Sequence, residues 1–239
     1  MTLERLDKIV ANLGYNSRKG AGIMIKQGLI TIDNQVIKNP AHKIDPRQHE
    51  CKIDGQEIDP LPPLTLAFNK PTGVICDRDG FYPNIFEYLP HRWQIRHPGF
   101  SCAGRLDKDS RGLVILSEDG QLVHKIISPN VQIPKIYKVT LDKELKDSHF
   151  QKIRQGGMVL ERKSKVLRPA KIEALDECVY EVTLFEGQHR QIRRMMKNLQ
   201  RQVLDLQRMQ IGNLNLASLD LKEGEFRRIE KQDIDIQGL

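Results

Sequence analysis

The chain has 239 residues, 39% hydrophobic, 29% charged and 5% aromatic, with 38 Lys+Arg against 31 Asp+Glu for a net charge of +7. This length supports one or two domains with a core that needs no staples, and the interspersed Val, Ile and Leu exclude a disordered chain. There is no membrane-length apolar run or signal-peptide stretch, and Cys51, Cys76, Cys102, Cys178 and the seven histidines show no CxxC or ligand spacing, so a cytoplasmic protein without metal or disulfide framework is expected.

Leu3, Leu6, Ile9, Val10 and Leu13 recur at helical spacing, and Gly14 stops that helix. Ser17 is a candidate N-cap for a second helix with Ala21, Met24 and Ile25 inward and Gly28 at its end. Gly20 and Gly22 inside it each cost up to ~1 kcal/mol, which predicts a weakened helix. A strand at 29–32 and a turn at Asp33-Asn34 follow. Residues 1–47 hold eight basic and four acidic residues, whereas 48–61 hold one basic and four acidic. On charge alone, Arg18, Lys19 and Lys26 are either a solvated face or a helix end presented to phosphates. Three prolines in Pro60-Leu61-Pro62-Pro63 stiffen a connector. The chain thus divides into a unit over 1–59, a linker over 60–63 and a larger unit over 64–239.

In the larger unit, strands are predicted at 64–68, 112–116, 137–141 and 179–185, and helices at 122–127, 148–154 and 188–199. Their irregular alternation favours an α+β fold over a doubly wound one. Three segments carry the chemistry. In GRLDKDSRGL at 104–113, five charges and a serine between glycines make a loop at a strand end. Asp107 and Asp109 are there either an acid/base pair or a turn cap and an ion-pair partner. In EGQHRQIRRMMK at 186–197, Arg190, Arg193, Arg194, Lys197 and the later Arg201 fall on one predicted helical face. Residues 184–210 carry six basic and two acidic residues, a face that is either plainly solvated or directed at an anion. Tyr137, in KIYKV at 135–139, is by default a strand aromatic whose hydroxyl needs a partner when buried. NKPTG at 69–73 reads as a Pro turn, and no P-loop, GxGxxG, HExxH or GxSxG occurs.

At these residues the chain resembles the RsuA-type branch of bacterial RNA pseudouridine synthases, which modify ribosomal RNA. The carrying motifs are NKPTG, GRLDKDSRGLVILSEDG at 104–120, KIYKV and EGQHRQIRRM at 186–195, in family order. RLDK at 5–8, SRK at 17–19 and IKQGLITID at 25–33 are similar to an S4 RNA-binding domain. The resemblance implies an S4-like unit followed by a mixed, mainly antiparallel sheet with flanking helices and a cleft across its middle. It implies isomerisation of uridine to pseudouridine, which needs no cofactor or metal. It assigns Asp107 as the essential carboxylate, nucleophile or base at the ribose, Tyr137 as the aromatic against the uracil, and Arg193 as the partner of the catalytic carboxylate. Arg105 would enter the space left by the flipped nucleotide. Arg5, Lys8, Arg18, Lys19, Lys26, Lys70, Arg190, Arg194 and Lys197 are the candidate RNA-binding cations. The implied partner is ribosomal RNA, in a pre-ribosomal particle or partly assembled subunit, bound by a monomer away from membranes. SP at 128–129, RPA at 168–170 and the short span from there to Glu186 resemble enzymes of 16S rRNA, whereas KDS at 108–110 resembles those of 23S rRNA or tRNA. The reading from another class is a non-catalytic RNA-binding assembly factor.

Overall fold

The computed structural model describes residues 3–159 and 166–234. They form two compact units: residues up to Leu64 with Leu89–Phe100, and Thr65–Tyr88 with Ser101 onward. The first contains β1 (Glu4–Arg5), α1 (Leu6–Asn12), α2 (Arg18–Lys26), β2 (Ile30–Ile32), β3 (Gln35–Val36), β4 (Lys43–Ile44), β5 (Cys51–Ile53), β6 (Gln56–Glu57) and α3 (His91–Gln94). Leu6, Ile9, Val10, Ala21, Ile25, Ile30 and Ile32 make its core. Leu3 lies outside the helix and is exposed, so the apolar repeat begins at Leu6.

Ser17 caps α2, its hydroxyl accepting from the Gly20 N–H at 3.2 Å. The helix is continuous through both glycines. At Gly20 a Cβ would fall 2.1 Å from Asn16 Oδ1, the oxygen that accepts the Ser17 N–H at 2.9 Å. The glycine therefore makes room for a second local cap. Asp33 and Asn34 both take positive φ, 48° and 65°, as a two-residue hairpin turn matched to strand twist requires. Residues 89–100 lie inside the range read as the second unit but cluster with the first. Arg92 pairs with Asp59 at 2.8 and 3.1 Å, and the His97 N–H donates to Asn12 O at 2.9 Å.

The second unit is built on a nine-stranded sheet among the described residues. Its strands are β7 (Thr65–Lys70), β8 (Ser101–Cys102), β9 (Arg111–Ser117), β10 (Lys135–Leu141), β11 (Lys171–Asp176), β12 (Val179–Leu184), β13 (Val203–Ile211), β14 (Leu214–Asn215) and β15 (Phe226–Arg228). The main order is β11-β12-β10-β13-β9-β7-β15. Pairing is antiparallel except between β13 and β9, so the sheet is mixed and mainly antiparallel. Four helices flank it: α4 (Gly120–Ile127), α5 (Asp147–Gln155), α6 (Gln191–Asn198) and α7 (Leu216–Leu219). Asp119 starts α4 by accepting the Gln121 and Leu122 N–H groups. Leu122 and Ile126 of that helix pack on Leu113 and Ile115 of β9 in one cluster. Among the described residues, no helix is long and apolar enough to cross a membrane.

One row of this sheet positions the site. Val182, Tyr137, Arg208, Gly112 and Lys70 are successive register partners across β12, β10, β13, β9 and β7. A register shift between Ile136 and Tyr137 lets Tyr137 face Arg208 while Ile136 pairs with Gln210; such irregularities re-aim side chains. Gly112 has φ +103°, and a Cβ on it would sit 2.3 Å from the Arg208 carbonyl oxygen. The parallel β9–β13 contact therefore requires glycine. Gly112→Ala is expected to lower stability by more than the ~1–3 kcal/mol of a strained backbone alone. Urea unfolding will read this as a fall in midpoint at unchanged m-value.

Candidate active site

Asp107 stands in the loop between Gly104 and β9, and that loop is tied down at both ends. Arg208, 1% exposed, donates through Nη2 to the Gly104 carbonyl at 2.8 Å and through Nε to the Leu113 carbonyl at 2.6 Å. Lys70, fully buried, donates from Nζ to the carbonyls of Ser110 at 2.6 Å and Pro71 at 2.9 Å. Between these anchors the Ser110 N–H closes a turn onto the Asp107 carbonyl at 3.1 Å, and the Gly73 N–H reaches the Lys108 carbonyl at 2.8 Å. The Leu106 N–H points to Cys76 Sγ at 3.4 Å. The charged stretch between glycines is thus a constrained loop with Asp107 at its centre.

A cavity of about 550 Å³ opens beside it. Asp107, Arg105, Tyr137, Lys135, Arg190, Glu186, Cys76 and Arg208 are among the residues lining it. Lys135 and Tyr137 alternate along β10 with the buried Val139 and Leu141, so a period of two puts them on one face. Tyr137 is 8% exposed. Lys135 Nζ donates to Ile133 O at 3.0 Å. Burial, reinforced by the Arg208 charge, pulls its ammonium down to about 8. Burial lowers Lys70 as well. Cys76 is pulled down to about 7, chiefly by its hydrogen bond with Cys102 and also by the Leu106 N–H and the charges of Arg208 and Lys70. Cys102 is correspondingly raised. Two buried cations, Lys135 and Arg208, therefore line a cavity with a carboxylate at its edge, and a third, Lys70, holds the loop that carries that carboxylate.

The arginine segment approaches the same loop. Arg190, the residue before α6, takes a left-handed conformation at φ +51°. Its guanidinium lies 3.9 Å from the Asp107 carboxylate and 3.2 Å from that of Asp109. Arg193 was expected to pair with Asp107. Instead its Nε lies 3.3 Å from the Asp109 carboxylate, its Nη2 donates to the Asp109 carbonyl at 2.8 Å and its Nη1 to Val203 O at 3.1 Å. One turn of helix separates the two arginines, and the nearer one to Asp107 is Arg190. Asp109 is the shared acceptor that joins both to the loop. The predicted five-cation face is also shorter than its spacing suggested. Arg201 lies beyond the end of α6 and donates to the carbonyls of Glu144, Leu199 and Gln200.

The remaining predicted cations separate by setting. Lys70 is not available at the surface: its ammonium is spent on the loop carbonyls, a correction to its reading as an RNA contact. Lys197 and Arg190 are exposed and Arg194 half-buried. In the first unit Lys19 and Lys26 are exposed. Arg5 forks onto the buried Asp7 carboxylate at 3.1 and 2.7 Å and Arg18 approaches it at 3.7 Å; Arg5 thereby holds Asp7 below the usual carboxylate range. Lys8 pairs with Glu4 at 2.8 Å. Arg105, largely exposed, grips Asp77 at 2.7 and 3.0 Å. Sequence reasoning missed Arg208, Lys135, Cys76 and the buried Glu186, which accepts from Arg168 N and Gln191 Nε2 at 3.0 Å each. Only Lys135 carried a signal, its period-two spacing from Tyr137.

The RNA pseudouridylate synthase family model matches residues 65–198, and the S4 domain model residues 4–49. The chain is 34% identical to ribosomal small subunit pseudouridine synthase A of Pasteurella multocida, over 96% of this chain and 97% of that one. It is 32% identical to the enzyme of the same name in Escherichia coli, over 96% and 98%. It is also 32% identical to the uncharacterized RNA pseudouridine synthase YtzG of Bacillus subtilis, over 97% of both. A crystal structure of a pseudouridylate synthase superposes with a TM-score of 0.68 at 30% identity, covering 97% of this chain and 98% of the other.

The depressed Lys135 ammonium yields a signed prediction. Below pH 8 it is charged in both folded and unfolded states and the folded state bears the burial cost; above 10.5 it is neutral in both and the cost is absent. Stability from this group is therefore gained as pH rises from about 8 to 10.5. Any stability advantage of Lys135→Met over the wild type should shrink by about 3 kcal/mol across that interval, at ~1.4 kcal/mol per pH unit. Urea midpoints of the two proteins at a series of pH values measure it.

Proposed function

The chain belongs to the RNA pseudouridylate synthase family, in the layout of an S4 domain followed by the synthase domain, and we propose that it converts a specific uridine of 16S ribosomal RNA to pseudouridine. RNA is its substrate, and uridine isomerisation its reaction. In this reading the RNA is bound within a pre-ribosomal particle or a partly assembled small subunit, in the cytoplasm, by a monomer. Two named small-subunit synthases of similar length, together with SP at 128–129 and RPA at 168–170, favour 16S over 23S rRNA or tRNA.

The observation that carries the site assignment is the convergence of Asp107, Tyr137 and Arg208 on one cavity large enough for a nucleoside. A uridine stacked in a helix cannot present C1′ to a side chain, so it must be flipped into such a cavity. Tyr137 then packs the uracil face and Asp107 acts at the ribose. In either role of Asp107, as nucleophile or base, the N1–C1′ bond breaks with its electron pair on the uracil. The buried Lys135, Lys70 and Arg208 supply a fixed positive field under that developing charge. The uracil turns, C5 joins C1′, the C5 proton leaves and N1 regains one. Arg190 is the cation nearest Asp107 and sets a positive charge 3.9 Å from its carboxylate. Asp109 and Arg193 are positioning residues that hold the loop and α6 together. Arg105 releases Asp77 to occupy the space vacated by the flipped base. Arg5, Lys8, Arg18, Lys19 and Lys26, with Arg194 and Lys197, engage phosphates.

Asp107→Asn is expected to abolish tritium release from 5-³H-uridine RNA while RNA binding persists; equal release by variant and wild type sinks the assignment. Asp109→Asn should slow single-turnover release by roughly ten- to a hundredfold, the worth of one charge-assisted bond, with affinity little changed. The target is read by carbodiimide-dependent reverse-transcription stops in rRNA from cells with and without the gene. A stop lost from 16S rRNA is expected, whereas one lost only from 23S rRNA or tRNA overturns the small-subunit reading.

A further inference from the structure

Beyond Asp77, the segment between the NKPTG turn and the first unit's 89–100 excursion takes no part in the chemistry above. Its base is closed by the Ile75–Asn84 bridge, with the Ile75 N–H donating to Pro83 O at 2.9 Å and the Ile85 N–H to Ile75 O at 3.0 Å. Between these pins every residue from Asp77 to Pro83 is exposed. Two adjacent aromatics stand there: Phe81 fully exposed and Tyr82 half-exposed. Of the chain's seven phenylalanines, all among the described residues, Phe81 alone is classed as exposed. A single exposed apolar side chain is ordinary; what distinguishes this pair is its location.

The loop begins in the cavity wall, which Ile75, Cys76 and Asp77 line. The loop touches the Gly104–β9 loop on both sides of Asp107. Asp77 holds Arg105, two residues before it, and Lys108, the residue after it, places Nζ 3.2 Å from the centre of the Tyr82 ring. Tyr82 thus stands against Lys108, a residue of the cavity wall, with Phe81 next to it in the chain. Flipping one uridine leaves the bases on either side without a stacking neighbour. An exposed aromatic beside that wall supplies the missing face, and does so for any base because every base has a π-surface.

We propose that the loop from Cys76 to Pro83 is a docking platform for single-stranded RNA, on which Phe81 and Tyr82 stack the nucleotides flanking the flipped uridine. It rests on the RNA-modifying reading of the neighbouring cavity and adds a strand-binding subsite to it. Lys108 then meets the phosphates of the same stretch while kept over the Tyr82 ring as a cation–π pair.

The test uses the full-length chain with Phe81→Ala, Tyr82→Ala, their combination and Phe81→Trp. Two substrates are needed: 5-³H-uridine rRNA from cells lacking the gene, and a fluorescein-labelled oligoribonucleotide of random sequence. Each lost ring should weaken binding to both RNAs by roughly five- to a hundredfold, leave the single-turnover rate at saturating RNA unchanged, and be rescued by Phe81→Trp. Cross-linking of 4-thiouridine-substituted RNA should map to the peptide bearing Phe81 and Tyr82. Wild-type affinity in the double variant overturns the platform, as does a loss confined to the saturated rate. Unchanged RNA affinity with an altered sedimentation coefficient assigns the aromatics to a protein contact instead. Failure of the wild type to release tritium would strike the activity assigned to the cavity, while the oligoribonucleotide arm would still test the platform.

Discussion

The site depends on one buried guanidinium. Arg208 sits in the middle of a sheet, where taking a cation from water costs several kcal/mol, and it is compensated by backbone carbonyls on two different segments. Those bonds do more than satisfy it. The Gly104 carbonyl fixes where the Asp107 loop leaves β8, and the Leu113 carbonyl fixes β9 just after the loop ends. The backbone of the same residue lies against Gly112 so closely that no side chain fits there. Lysine offers one ammonium where this arrangement needs a planar fork reaching two segments. Asp107 is therefore positioned by a strand ~100 residues later in the chain, and the loop's precision is a property of the sheet.

The same cation adds to the electrostatics around the cavity. With Lys70 and Lys135 it forms a buried positive layer. Lys135 is pulled down chiefly by burial, with the Arg208 charge adding to it, and Cys76 is lowered chiefly by its hydrogen bond with Cys102, with the Leu106 N–H and the Arg208 and Lys70 charges adding to it. Asp107 lies at the rim of this layer, where Arg190 supplies a further positive charge at 3.9 Å. That distance is electrostatic contact, too long for a hydrogen bond. It leaves the carboxylate's lone pairs available to a substrate, while Asp109 takes the direct arginine contacts. Two carboxylates in one loop have thus been given different work by their surroundings: one braces α6 against the loop, and the other stays open to the cavity.

Periodicity made the local elements legible. The Ser17 cap, the Asp33-Asn34 hairpin, the strands that became β7, β9, β10 and β12, and helices α4 and α5 all follow from neighbours within a few residues. The motif resemblance located Asp107, Tyr137 and the arginine segment, which share one cavity wall or its edge. What stayed hidden is long-range. Residues 203–211, VLDLQRMQI, mix polar and apolar side chains too irregularly to read as a central strand, because a bulge and a buried arginine break the alternation. Membership of 89–100 in the first unit depends on the Arg92–Asp59 pair, across 33 residues, and no local pattern encodes it. The expected Arg193–Asp107 pair failed for a geometric reason: Arg190 leaves the helix in a left-handed turn and reaches Asp107, while Arg193, one turn on, is drawn to Asp109.

Counting charge by segment hides how it is used. Residues 184–210 carry six cations against two acids, a surplus that reads in sequence as an RNA-facing surface. Arg208 is buried against carbonyls, Arg201 is turned onto three of them beyond the helix end, and Arg193 is folded back onto Asp109 and Val203. Half of the six therefore hold the fold together, which leaves Arg190, Arg194 and Lys197 nearest the surface. Counterion release scales with the phosphates actually neutralised, so in the proposed reading the electrostatic affinity of this face follows Arg194 and Lys197, Arg190 being engaged by Asp107 and Asp109, rather than the segment's formal charge. In the first unit Lys19 and Lys26 are exposed, whereas Arg5 and Arg18 share Asp7. In the proposed reading, a modest net charge serves an RNA enzyme because its structural cations are buried beside the cavity and a smaller, separate set meets the backbone of the substrate.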